Sequence, residues 1–158
     1  MNETSQSNEP SVESGASSDT KEPCRFAPVP CHKSDFEALA ALASLPFPPI
    51  WYPDIPKLLD WLLDLNGPIC RPVAELLRSV PGKQLAPHLR KIFQGDDLEW
   101  QLNSLVFLIA EMDDPVPEIL TDVENWYSRR KGDVKEEWDM VDDTEIAIAK
   151  LKQQLKKA

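Results

Sequence analysis

Pro56, Pro87 and Pro117 stand 31 and 30 residues apart, and an apolar stripe at helical spacing follows each of them. Leu58, Leu59, Trp61 and Leu62 follow the first, Leu89, Ile92 and Phe93 the second, and Ile119, Leu120 and Val123 the third. Proline has no N–H to donate. It is therefore tolerated in the first turn of a helix, where that group has no intrahelical acceptor. A proline returning at this interval predicts a repeated helical unit. Units of 20 to 50 residues holding two helices each are how stacked α-structures repeat.

Composition agrees with a helical reading. The chain has 158 residues, 42% of them hydrophobic, which is enough for one domain with a tail. Two tyrosines, five glycines and few β-branched runs argue against an all-β fold. The net charge is −10, from 27 acidic and 17 basic residues, and this disfavours nucleic acid as a partner. Lys150, Lys152, Lys156 and Lys157 near the C-terminus complement a helix dipole. No apolar run is long enough to span a membrane. The first residues have neither the apolar core of a secretory signal nor the arginines of a transit peptide. Three cysteines, an odd number, fit a reducing compartment. The expected location is cytoplasmic, with the nucleus left open.

Residues 1–31 are rich in Ser, Glu, Asn and Pro, and are expected to form a disordered acidic tail. Residues 32–158 are expected to form a single α-helical domain. Ser34 and Glu37 resemble a capping box that opens a helix over 36–45. The proline-rich stretch 46–53 cannot be helical, and is expected to insert Phe47, Ile50 and Trp51 into the core. Asp54 is expected to cap a helix over 55–65, ended by a left-handed residue at Asn66 or Gly67 ahead of Pro68. Further helices are predicted over 69–80 and, after a Pro81-Gly82 turn, over 85–94. Asp96 and Glu99 resemble a second capping box opening 98–111, which is apolar almost all round and so should be the most buried helix. Asp114 is expected to cap 116–128, with Pro115 at its first position. Asp133 and Glu136 are expected to open a last helix to residue 155, with a stripe of Trp138, Val141, Ile146, Ala149 and then Leu151 or Leu155. The expected fold is all-α, a short HEAT- or armadillo-like stack of about seven helices. The period is shorter than the roughly 40 residues usual for such repeats, so an irregular helical bundle is the alternative.

The stretch Trp61-Leu62-Leu63-Asp64-Leu65-Asn66-Gly67-Pro68 resembles the signature WLQDMNWPVA of domain-of-unknown-function family 5071. Lys33-Ser34-Asp35 resembles that family's opening Lys-x-Asp, Ile69 to Leu77 its next helix, and Asp97 with Trp100 its Asp-x-x-Trp-Lys. Glu137 to Ala147, with Val141-Asp142, resembles its closing helix. The resemblance covers residues 32–156. It implies a helical repeat fold and no particular activity. Gly67 stands where the family usually has a second tryptophan, and Gln101 where it usually has lysine.

Trp61 and Asp64 share a helix face at i,i+3, and Asn66 follows at the helix end. With Asp97 and Trp100 they form a candidate acidic, aromatic surface for a cationic or peptide ligand. The plainer reading makes Trp61 core, Asp64 an acceptor for a neighbouring turn and Asn66 a C-cap. Asp142 and Asp143 interrupt an apolar face; near Asp64 or Asp97 they would make an acid–base pair or a site for a hard cation. Pairing with Arg71, Arg78 or Lys91, or simply facing water, is the plainer alternative. Cys24, Cys31 and His32 would need Cys70 and His88 to complete a zinc set, at a spacing unusual for zinc. Cys70 reads as a small buried residue, the alternative being a thiolate near a helix N-terminus. No phosphate loop, HExxH or G-x-S-x-G occurs. The expected function is therefore a non-enzymatic interaction module for a protein or peptide of basic character, with no cofactor and no metal. The alternative is a small ligand-binding protein or enzyme built on Asp64, Asn66, Asp97 and Asp142.

Overall fold

The computed structural model describes residues 29–45 and 52–158. The expected insertion of Phe47, Ile50 and Trp51, and the expected tail up to residue 28, lie outside these residues. Val29 and Pro30 are buried, so packing begins just ahead of residue 32.

The described residues are all-α, with seven α-helices and no strand. Helix α1 is Phe36–Ala43, and α2 is Ile55–Leu59, running on into a 3₁₀ turn, Asp60–Leu63. Then come α3, Cys70–Arg78, and α4, Gly82–Gln94. Helix α5, Leu98–Asn103, continues through a π-helical turn, Ser104–Leu108, and a 3₁₀ turn, Ile109–Glu111. Helix α6 is Pro117–Asp133, continued by a π-helical turn, Val134–Trp138, and α7 is Val141–Lys157.

The run from Leu98 to Glu111 is the centre of the molecule, as its all-round apolar pattern predicts. Leu102, Leu105, Leu108 and Ile109 are buried to 2% exposure or less. Helices α3 and α7 pack on this run, and α6 packs on α4 and α7. Its π-helical and 3₁₀ turns release backbone carbonyls, and side chains from neighbouring helices collect them. The Arg78 guanidinium donates twice to the Phe107 carbonyl, at 3.1 and 2.8 Å. Gln154 donates to the Ala110 carbonyl at 3.1 Å.

Both predicted capping boxes open one residue late. Asp35, not Ser34, caps α1 through the Ala38 N–H at 3.2 Å. Asp97, not Asp96, caps α5 through the Trp100 N–H at 2.9 Å. The acceptor must sit three residues ahead of the N–H it satisfies, and Asp35 and Asp97 are the residues with that reach. Asp54 makes no capping bond; its carboxylate pairs with Lys57 at 3.4 Å.

The helix predicted over 55–65 ends early, with Asp64 already extended (φ −136°, ψ 106°). No described glycine has a positive φ, so the expected left-handed ending at Asn66-Gly67 does not form. Side chains of α5 replace it. Trp100 Nε1 donates to the Leu59 carbonyl and Asn103 Nδ2 to the Leu62 carbonyl, both at 2.9 Å.

Helix α4 begins at Gly82, three residues before the predicted start. The Gly82 N–H donates to the Asp114 carbonyl at 2.9 Å. Pro87 is thus the sixth residue of α4, while Pro56 is second in α2 and Pro117 first in α6. The proline period therefore does not mark three equivalent helix starts. Pro115 lies ahead of α6, whose N-cap is Val116 rather than Asp114.

The last predicted helix is divided in two. Asp139 adopts a left-handed conformation (φ 51°), so 133–138 prolong α6 and α7 starts afresh at Val141. The core face of α7 is Thr144, Ala147, Ile148 and Leu151. Ile146 is 56% and Trp138 43% exposed, against expectation, and Ala149 is exposed too. A stripe counted from Trp138 crosses the chain reversal and loses phase; counted from Thr144 it keeps i, i+3, i+4, i+7.

Candidate functional site

A small cleft of about 140 Å³ opens where α2, α4 and α5 meet. Leu59 and Ile92 contribute apolar surface to it, alongside Pro56 and the Trp100 ring. Asp60, His88 and Lys91 supply its polar groups. Local rules place the Trp100 wall. The Asp97 cap sets where α5 starts, and the indole N–H bond to Leu59 locks the Trp100 ring against α2. Lys91 and His88 share a face of α4 at i,i+3.

The cleft's apolar walls act on its polar groups. Burial, helped by the positive charge of Lys91, lowers the His88 pKa, so the imidazole is neutral at neutral pH. Burial raises the Asp60 carboxyl above its usual value. A neutral imidazole, an acid and an ammonium thus edge one apolar hollow, able to accept and donate hydrogen bonds to a ligand. Among the described residues its lining includes no serine, threonine or cysteine.

Of the residues singled out from sequence, Trp100 lines this cleft. Trp61 is half-buried and packs against the core. Asp64 is exposed; its Oδ1 accepts from the Asn66 N–H at 2.8 Å, and its carbonyl accepts from the Cys70 thiol at 2.8 Å. Asn66 and Asp97 are exposed, the latter engaged as the α5 cap. Asp142 and Asp143 are exposed in the first turn of α7. Asp64, Asn66, Asp97 and Asp142 are absent from the cleft lining. Of the two plainer alternatives for Asp142 and Asp143, facing water is the one found: Arg78 holds the Phe107 carbonyl, and Arg71 lies 5.0 Å over the Phe107 ring.

Cys70 is buried, and burial followed by the nearby Asp64 charge pushes its thiol up, as fits a small core residue rather than a thiolate. His88 lines the cleft and Cys70 is bonded to Asp64, so neither completes a zinc set in the way the sequence would have required. Nothing in the sequence marks Asp60, and His88 stands out there only as a metal-ligand type. Each is a lone polar residue next to an apolar one on a separate helix. In sequence, that is indistinguishable from a solvated position.

Gln101 and Gly67 both serve the fold. Gln101 is fully buried, donating to the carbonyls of Ile92 at 2.9 Å and Gly95 at 2.7 Å. A Cβ at position 67 would stand 2.9 Å from Cys70 Sγ and 3.5 Å from Lys33 Cβ. A tryptophan there would require Cys70 to leave its bond to Asp64.

The molecule is an all-α domain with an aromatic cleft edged by an acid and an imidazole. The chain belongs to the family described as Domain of unknown function (DUF5071), whose model matches residues 28–148. No curated protein matches it.

Proposed function

We propose that this domain is a non-enzymatic interaction module that binds a peptide or protein segment, with the Trp100 cleft receiving one anchoring side chain. The observation that carries this reading is the size and lining of the cleft. At about 140 Å³ it suits a single large side chain. Pockets that engulf whole small molecules run to roughly 300–1,000 Å³. A rigid indole beside apolar side chains provides the anchor, and Asp60 and His88 can pair with the polar backbone of an approaching segment. The net charge of −10 favours a segment of basic character through long-range attraction. Helices stacked in HEAT-like order would extend the surface beyond the cleft. Among the described residues no helix is long and apolar enough to cross a membrane. We place the module's partner in the cytoplasm, with the nucleus open to it.

A phage-displayed library of random peptides tests the proposal. Panning on the purified protein should enrich sequences that join one large apolar residue to lysine or arginine. Their binding should fall on His88→Ala and Asp60→Ala. Enriched peptides that bind these variants as well as the parent would overturn the assignment of the cleft, and failure to enrich any sequence would overturn the peptide reading.

The acid and imidazole at one rim favour a second reading, a small ligand with an apolar ring and a hydrogen-bonding group. A fragment that raises the melting temperature of the parent but not of Asp60→Asn, with no peptide enriched, would decide for it.

A further inference from the structure

We propose that Cys31, His32 and Asp35 form a zinc-binding site at the entrance to α1, separate from the Trp100 cleft. Their ligand atoms, a thiol sulfur, a ring nitrogen and a carboxylate oxygen, all lie within 4.8 Å of one another. These are the donor types that zinc takes. Metal–ligand bonds of about 2.0–2.3 Å put the edges of a zinc tetrahedron near 3.5 Å. Cys31 Sγ and Asp35 Oδ2 already stand at such an edge, 3.3 Å apart. The remaining edges close by roughly 1 Å, a movement open to solvent-facing side chains.

The backbone holds these donors in place before any ion arrives. The Asp35 N–H donates to the His32 carbonyl at 3.0 Å and closes a tight turn. The Ser34 N–H donates to His32 Nδ1 at 3.3 Å and steadies the ring. The two oxygens of Asp35 divide their work. Oδ1 caps α1 through Ala38, while Oδ2 faces Cys31, accepting from its N–H at 3.2 Å and its thiol. The turn is clamped on both sides, by buried Val29 and Pro30 ahead of it and by α1 behind it. Cys31 and His32 are exposed, so an ion enters without rearrangement of the core.

Three protein donors leave the fourth zinc position to water, the arrangement of open rather than closed sites. Binding converts the Cys31 thiol to a thiolate and releases its proton to solvent. Cys70 and His88, which the sequence alone offered as further ligands, take no part, and Asp35 takes their place.

Isothermal titration of the full chain with Zn²⁺ alone, after dialysis against chelator, tests the site. The expected result is one ion per chain. Replacing a second-shell group typically weakens metal binding by 10–100-fold, so losing a ligand should weaken it by at least about tenfold. Cys31→Ser, His32→Ala and Asp35→Asn should each show this loss. Asparagine still caps a helix, so Asp35→Asn removes the ligand charge without unfolding α1, which circular dichroism verifies. Co²⁺ supplies a second readout through its thiolate charge-transfer band. That band should vanish in Cys31→Ser and survive in Cys24→Ser. No binding to the parent, equal binding to the three variants, or a band that follows Cys24 instead of Cys31 would overturn the proposal.

Discussion

Trp126 donates its indole N–H to Oε1 of Gln101 across 2.7 Å, and both side chains are wholly buried. The amide nitrogen of the same Gln101 holds the Ile92 and Gly95 carbonyls at the end of α4. One side chain on α5 thus ties α4 to α6. Phe93 meets the Trp126 ring edge-on at 5.2 Å and seals the polar group from water. In so dry a place every unmade bond is felt.

Gln101→Leu should therefore destabilise the domain by roughly 3 kcal/mol, because it strands the buried Trp126 N–H and takes the side-chain donor from the Gly95 carbonyl and one of two donors from the Ile92 carbonyl, an unpaired buried group costing about 1–3 kcal/mol. Gln101→Lys offers the carbonyls a donor yet leaves the Trp126 N–H without an acceptor and puts a charge in a wholly buried position, so it should lose at least as much stability as Gln101→Leu. Urea unfolding of the single variants, Trp126→Phe and the double variant measures the coupling. Residues that share a bond are non-additive, so the double variant should lose less than the sum of the two.

Gly82 and Gly132 make a matched pair. A Cβ on Gly82 would meet the Asp114 carbonyl at 2.5 Å and the Val116 nitrogen at 3.0 Å, both backbone atoms. A Cβ on Gly132, within α6, meets nothing within 4 Å. Gly82→Ala should cost about 1–3 kcal/mol by forcing the loop ahead of α6 away. Gly132→Ala should stabilise by roughly 0.5–1 kcal/mol through helix propensity. Opposite shifts in the denaturation midpoint are the expected outcome.

Titration of the cleft should be visible in stability. Burial holds His88 below the usual histidine value near 6.5, so on acidification the unfolded chain takes up the proton first. The stability contributed by neutral His88 is whole above about pH 6.5, and is lost as pH falls from there towards the folded value. Asp60 runs the other way. Its raised pKa means that stability is lost as pH rises from about 3.8 to the folded value, and stays lost above it. His88→Gln should flatten the stability profile below pH 6.5, and Asp60→Asn should raise stability at neutral pH. Denaturant midpoints across pH 4–8 check both.

Asp64 is exposed, and its one carboxylate bond is to the Asn66 N–H within the same loop. Asp64→Ala should cost about 0.5–1.5 kcal/mol, the net worth of an ordinary hydrogen bond. Asp64→Asn keeps the turn-forming acceptor and should cost less. An Asp64→Ala protein more stable than the parent would mark this carboxylate as kept for binding instead of for the turn. Thermal and urea melts of the two variants separate the cases.

Much of this architecture is local and could be read from the residues in order. Apolar spacing placed all seven helices, and the unbroken apolar character of Leu98 to Glu111 identified the central one, because burial on every side leaves no polar face. Asp35 and Asp97 lie one residue from the predicted caps, since the motif gives the residue types while the first free N–H groups decide which of them is reached. Pattern did not disclose the events that need two distant segments. Gly82 starts α4 because the Asp114 carbonyl receives its N–H, 32 residues along the chain. Helix α2 can stop without a left-handed residue because Trp100 and Asn103 collect its last carbonyls. The cleft exists because Asp60, His88 and Trp100 are brought together from three places in the chain; loss of water there shifts the acid, and loss of water with the Lys91 charge shifts the imidazole. Periodicity records which face of a helix leaves water; it carries no record of what that face meets.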